Sequence, residues 1–327
     1  MGVWLIGVDA LARGRFAVSA LAETVAALIG LARGGGSRPG RERWRQVHAP
    51  AFEERLARDP FAAAFVSDVL GPRWLPDFLV TPPLPGDRTF DDELRRLRAT
   101  PARSALAHIV EALDGAPLPR ALLVPDLPDR VAELLDWVWT RTVRPEWPRY
   151  RRLFEADIAT RTQSLTSGGW AAALSGLRPG MRWLGDGRLR VNAYPYPPRE
   201  ISGAQLLFIP TTAPRGWVGR DEPRRYAITY PCSGLLAEPG AGRRVPEEAL
   251  GRLIGPTRAA ILTQLGAPKS TTQLVALTGY TLGSVGGHLK VLLEARLVHR
   301  RRSGRVVLYH RTPLGDSLVG DGPPQLG

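Results

Sequence analysis

The sequence predicts an α+β fold in two parts. A helix-rich N-terminal domain (1–236) carries a small antiparallel sheet, and a smaller C-terminal module (247–319) places two helices before a strand hairpin. Three observations carry this reading. Apolar residues recur at helical spacing through most of the first 165 positions. After Pro179 the pattern becomes short β-rich runs around turn signals. From Ser270 to Arg311 the helical period returns twice and then yields to a strand period. Helices first and strands later describe a segregated α+β domain, and 327 residues suffice for two cores.

The run from Val3 to Val8 is apolar and β-rich, a buried or edge strand. Ser19 can cap a helix through LAETVAALIGLAR, which the Gly-rich stretch 34–40 ends. Helical patterns follow at 44–57 and 60–70. The segment 72–87 repeats proline too often for a helix and reads as a Trp- and Phe-anchored ordered loop or a linker, its apolar content favouring the loop. Thr89 caps FDDELRRLRA, whose early acids and late arginines suit the helix dipole. Pro101 opens a helix to Leu113, and long amphipathic helices follow at 129–142 and 147–165, with Gly168-Gly169 starting a shorter one. MRWL and RLRVNAY flank Gly185-Asp186-Gly187 as a hairpin, and QLLFIP and RYAITYP supply further strands. The Gly-, Pro- and Arg-rich stretch 237–246 reads as a linker, and 320–327 as a flexible tail.

In the C-terminal module, a capped helix from Ser270 ends at Gly279. Thr281 caps a second, with Val285, Leu289, Leu292 and Leu293 at i, i+4, i+7 and i+8. Beyond Leu297 the period is that of strands, with Ser303-Gly304 as the hairpin turn. Helix, tight turn, helix and basic hairpin are the plan of a winged helix-turn-helix, whose second helix can enter a DNA major groove.

Charge supports the same expectation. The chain has 44 Lys+Arg against 31 Asp+Glu, a formal +13. Only Lys269 and Lys290 are lysines, so an isolated arginine says little. Between 241 and 311, however, twelve basic residues face three acidic ones, a balance of +9 that leaves +4 for the much longer remainder. Phosphate neutralisation explains that concentration. The same sequence argues against other classes. Cys232 is the one cysteine, which excludes an intramolecular disulfide and a clustered thiolate metal site. His288, His299 and His310 fall on different elements without ligand-pair spacing, so no metal or cofactor is expected. No Gly-x-Ser-x-Gly elbow, phosphate-binding glycine loop or His-Glu-x-x-His occurs, so no enzyme is expected. No apolar run reaches membrane-spanning length, and a cytoplasmic protein is expected.

The stretches LIGPTRAAIL, STTQLVALTG, SVGGHLKVLLEARLVHRRRSGR and VLYHRTPLG together resemble the winged helix of ArsR-type bacterial regulators, in the same order and spacing over about 70 residues. Ahead of them RFAVSALAET, PDFLVTPP, EADIATR with Gly168-Gly169, and YPCSG resemble a domain of no assigned activity that precedes this winged helix in some bacterial regulators. The resemblance implies transcription regulation, with Ser284, Gly286, Gly287 and His288 at base- and backbone-contacting positions. It departs from the family where Gly283, Gly286 and Gly287 stand in place of base-reading side chains.

The expected DNA contacts are therefore Ser270, Thr271 and Thr272 at the first helix, and Thr281, Ser284, Gly286, Gly287, His288 and Lys290 on the recognition helix 281–296. Arg300, Arg301, Arg302, Arg305 and Arg311 complete them on the wing 298–311. The expected function is a homodimeric repressor on a roughly palindromic operator, with the N-terminal domain dimerising and sensing an unidentified small-molecule effector. The alternatives are an N-terminal small-molecule-binding or enzymatic domain tethered to DNA, and an architectural DNA-binding factor of low sequence specificity. Trp137, Trp139 and Trp147 are read as core or as the lining of an aromatic ligand pocket.

Overall fold

A computed structural model describes residues 2–33, 39–71, 74–174, 176–192, 197–232, 247–266, 268–303 and 306–319. The expected linker 237–246, the tail 320–327 and Arg305 lie outside the described residues. The chain divides into two compact units, one of 1–148 with 174–231 and the other of 149–173 with 232–327. The second takes in a helical segment that the sequence reading grouped with the N-terminal domain.

In the first unit, β1 (Val3–Leu5), α1 (Val8–Ala12) and β2 (Arg15–Phe16) lead into α2 (Ala20–Arg33). Ser19 caps α2 as expected, its Oγ accepting from the Ala22 N–H at 2.9 Å. Val25, Ala26 and Leu28 of α2 are fully buried, and the helix packs on α3 (Pro39–Arg58), α5 (Phe90–Arg98) and α7 (Leu127–Val138). Between these run α4 (Pro60–Ala64), continued by a π-helical turn at Phe65–Val69, and α6 (Ala102–Ala112). A second π-helical turn, Trp139–Val143, extends α7. Thr89 and Asp92 form the reciprocal cap of α5.

Two four-stranded sheets follow where the sequence suggested one. β3 (Arg182–Gly185), β4 (Arg188–Arg190), β1 and β5 (Arg199–Glu200) pair in that order, and the expected hairpin is β3–β4. The other sheet has the order β2, β6 (Gln205–Thr211), β8 (Arg225–Pro231), β7 (Val218–Asp221). β6 and β8 run parallel at its centre, while β7 pairs antiparallel with β8. Parallel central strands are covered on both faces, which is why LLFIP and YAITY read as continuous apolar runs.

The second unit contains most of α8 (Trp147–Leu174), kinked at Gly169, where φ is 67°. It continues with α9 (Glu247–Ile254), α10 (Pro256–Gln264), β9 (Lys269–Ser270), α11 (Thr271–Thr278), α12 (Leu282–Glu294), β10 (Val298–Ser303), β11 (Val306–Arg311) and α13 (Pro313–Val319). Its core gathers Leu250, Ile261, Leu262, Leu274, Val285, Leu289 and Leu292. Among the described residues no helix is long and apolar enough to cross a membrane.

Candidate nucleic-acid interface

α11 begins with a reciprocal cap. The Ser270 Oγ accepts from the Gln273 N–H at 3.2 Å, and the Gln273 Oε1 accepts from the Ser270 N–H at 2.7 Å. The helix stops at Gly279, whose φ of 76° is the left-handed conformation that lets the chain turn sharply toward the next helix. Thr281 then caps α12 by accepting from the Ser284 N–H at 3.3 Å. Both starts and the intervening turn are those the sequence signals.

The buried stripe of α12 is Val285, Leu289 and Leu292, packed toward α10 and α11. That fixes the other face. Thr281, Gly283, Gly286, Gly287 and Lys290 are exposed, and Ser284 and His288 are half-buried at the edges of the stripe. A Cβ added at Gly283, Gly286 or Gly287 would meet nothing within 4 Å. Nothing inside the described chain therefore requires glycine at these three positions, although each weakens the helix.

The hairpin follows α12 and packs against it. β10 and β11 pair antiparallel from Val298↔Arg311 to Ser303↔Val306. β9 adds to β11 at Leu308↔Ser270 and Tyr309↔Lys269, so the cap residue of α11 is held on the edge of the wing sheet. Arg300, Arg301 and Arg302 are exposed on β10. The register also brings His299 and His310 face to face, with ring centroids 4.9 Å apart and planes 11° apart, a pairing that their separation in sequence hid. Burial, then the neighbouring His299 and Arg301, hold the His310 pKa below its ordinary value.

Two cations of the basic cluster face inward. Arg311, expected on the wing's phosphate side, has a side chain 5% exposed, with Nε 2.8 Å from Asp316 of α13. Its place follows from strand alternation: it shares the parity of Tyr309, which packs on the core, and lies opposite the buried Val298. Lys269 is 3% exposed. Burial and then Arg311 pull its pKa down to about 8, against the opposing influence of Cys232 and Asp157. Arg300, Arg301 and Arg302 remain the exposed cations of β10, Arg300 and Arg302 on the face shared with Tyr309 and Arg301 on the opposite one.

At α11 the Ser270 hydroxyl is committed to capping, Thr271 is half-buried and Thr272 is exposed. The sequence reading did not single out Gln273. Its Nε2 donates to the Ala156 carbonyl at 3.0 Å and to the Thr160 Oγ1 at 2.7 Å, which ties the first turn of α11 to α8. On α8, Arg161 pairs with Asp157 at 3.1 Å, one helical turn away, and both side chains are largely buried. Cys232 is fully buried, its Sγ 3.8 Å from the Leu153 carbonyl of α8.

The family described as a helix-turn-helix domain matches residues 253–301, from the end of α9 to the middle of β10. No curated protein and no solved structure matches the chain. The chain carries a DNA-binding helix-turn-helix domain of the regulatory kind, with α11 and α12 as its helix pair.

Proposed function

We propose that the chain is a transcriptional regulator of ArsR type, a cytoplasmic homodimeric repressor. In this reading α12 enters the major groove of each half of a roughly palindromic operator, and the β10–β11 hairpin lies across the adjacent backbone. One helix reads only a few base pairs, so a single chain would be too unspecific and two half-sites are required. The N-terminal part is read as sensory and dimerising rather than catalytic.

The observation that carries the reading is the open glycine face of α12. Three glycines on an exposed helix are costly, and no neighbour among the described residues explains them. An external surface that must come close to the helix backbone does explain them, and the sugar-phosphate wall and base edges of a groove are such a surface. The exposed Arg300, Arg301 and Arg302 of β10 supply the neutralising charge. With few side chains to read bases, specificity falls to His288, Ser284, the wing and the shape of the DNA.

Selection of bound fragments from the native genome by the full-length protein tests this. A recovered sequence with two related half-sites about one helical turn apart, bound by a dimer in sedimentation, supports it. The architectural alternative predicts fragments with no shared sequence, which contradicts the reading.

A further inference from the structure

We infer that the first unit holds a binding cleft for a small planar anion, an aromatic carboxylate or phosphate, between the C-terminal half of α3 and one face of α7. The cleft is open on one side and encloses about 470 Å³, within the range of small-molecule sites. α3 contributes Arg55 and Arg58, one helical turn apart. α7 contributes Arg130 and Trp137, two turns apart, and the π-helical turn that extends it adds Arg141. π-helical turns recur at functional sites because they re-aim a side chain that a regular helix would carry round the axis.

The charge is unbalanced in favour of an anion. Of the four guanidinium groups, Arg58 pairs with Glu54 at 2.5 Å on the exposed rim. Arg55 and Arg130 share one carboxylate, Asp59, at 3.5 and 2.9 Å, and the Arg130 Nε also lies 3.8 Å from Glu133. Asp59 has a third duty, since it also caps α4 by accepting from the Ala62 N–H at 3.1 Å. Arg141 is exposed and pairs with no carboxylate among the described residues. Four guanidinium groups and two carboxylates line the cleft, and Glu133 beside Arg130 offsets one of the two remaining charges, so the site stays net positive. The Nε atoms of Arg55 and Arg130 make no hydrogen bond among the described residues, although Glu133 stands 3.8 Å from the latter, so neither guanidinium is saturated by the protein.

The arginines are also braced. Arg55 lies over the Trp137 ring at 5.9 Å, and Arg130 over the Phe61 ring at 5.2 Å. Trp137 is itself fixed on its inner side by Phe52, at 6.0 Å between centroids. A guanidinium held against a ring and an aspartate loses little further freedom when it binds an anion, and its fork matches two oxygens of a carboxylate or phosphate. The half-buried indole edge offers the apolar wall that a planar ring would use. DNA phosphate is the less suitable occupant, because a backbone would have to enter a concave site that also carries Glu54 and Asp59.

This site stands independently of the DNA-binding reading. Calorimetric titration of the full-length protein with salicylate, 5′-AMP and inorganic phosphate tests it, beside the Arg58→Gln/Arg141→Gln and Trp137→Leu variants. The two arginines are exposed, so matching thermal melts will verify that the double variant folds as the parent does. Saturable binding of salicylate or 5′-AMP that weakens about ten-fold or more in the arginine variant supports the cleft. Trp137→Leu is expected to weaken the aromatic ligands while leaving inorganic phosphate unchanged. Binding equal in parent and arginine variant, or no saturable binding of either aromatic anion at millimolar concentration, overturns it. Loss of duplex affinity in the arginine variant without any small-anion binding makes the cleft a DNA contact and overturns it as well.

Discussion

Gly287 concentrates a conflict between stability and function at one residue. It lies on the exposed face of α12, and a methyl group there meets no neighbour within 4 Å among the described residues. Alanine at this position is expected to stabilise the helix by about 0.5–1 kcal/mol, because glycine loses more backbone entropy on folding. If the helix backbone approaches DNA closely, the same methyl group will weaken specific binding. A urea melt and a binding titration on Gly287→Ala should therefore move in opposite directions. Movement of both in the favourable direction would remove the steric argument for the glycine face. Glu93 is a second informative residue. It reaches across to the start of α2, accepting from the Ser19 hydroxyl at 2.5 Å and the Ala20 N–H at 2.9 Å. Burial pushes its carboxyl up to about 7, with these hydrogen bonds opposing the shift. A raised folded pKa means that the group's contribution is fully present below about 4.5 and is lost as pH rises through 7. Denaturant melts between pH 5 and 8 should show that loss, and Glu93→Gln, which cannot ionise, should flatten it. Ser19 was legible as a cap of α2, but Glu93 read only as an early acid of its own helix. Its partner stands 74 residues away, and no local pattern encodes such a meeting.

At the scale of elements, the caps and periods carried most of the legible information. Ser-x-x-Gln at 270 and Thr-x-x-Asp at 89 mark helix starts because the side chain and backbone satisfy each other within four residues. The buried stripe of α12 was readable from the spacing of Val285, Leu289 and Leu292 for the same reason. Arg311 was misplaced because composition, rather than strand parity, assigned it to the wing's outer side; its neighbours Tyr309 and Val298 already pointed inward. The two π-helical turns and the parallel pairing of β6 with β8 depend on packing between distant segments and left no local trace. The tie from α11 to α8 through Gln273 belongs to the same class. Replacing Gln273 by leucine removes the bonds to Ala156 and Thr160 and leaves the Ser270 N–H without its capping partner. The expected cost is about 1–3 kcal/mol, measurable by chemical denaturation. A change within error would mean that solvent replaces these bonds without penalty.

Over the whole molecule, the excess of basic residues is divided by folding into groups with different fates. Lys269 and Arg311 are drawn inside, four arginines line the cleft of the first unit, and Arg300, Arg301 and Arg302 stand exposed beside α12. Net charge alone foretold a polyanionic partner but could not separate these groups. The separation is testable, because an exposed cation that neutralises a DNA phosphate contributes about 0.9 to the slope of log affinity against log salt. Alanine at Arg300, Arg301 and Arg302 should reduce that slope by up to about 0.9 per residue and weaken all duplexes alike. Truncation at Arg311 should act instead through stability, as its side chain is inside. The proposed function stands on the reading of a defined operator by α12 and its wing. Its most direct measurement is the affinity of the full-length protein for its genome-selected fragment against a scrambled duplex, titrated across salt. A preference of roughly 10³-fold or more is expected, persisting as both affinities fall with salt. Equal affinity for the two duplexes at every salt concentration would contradict it.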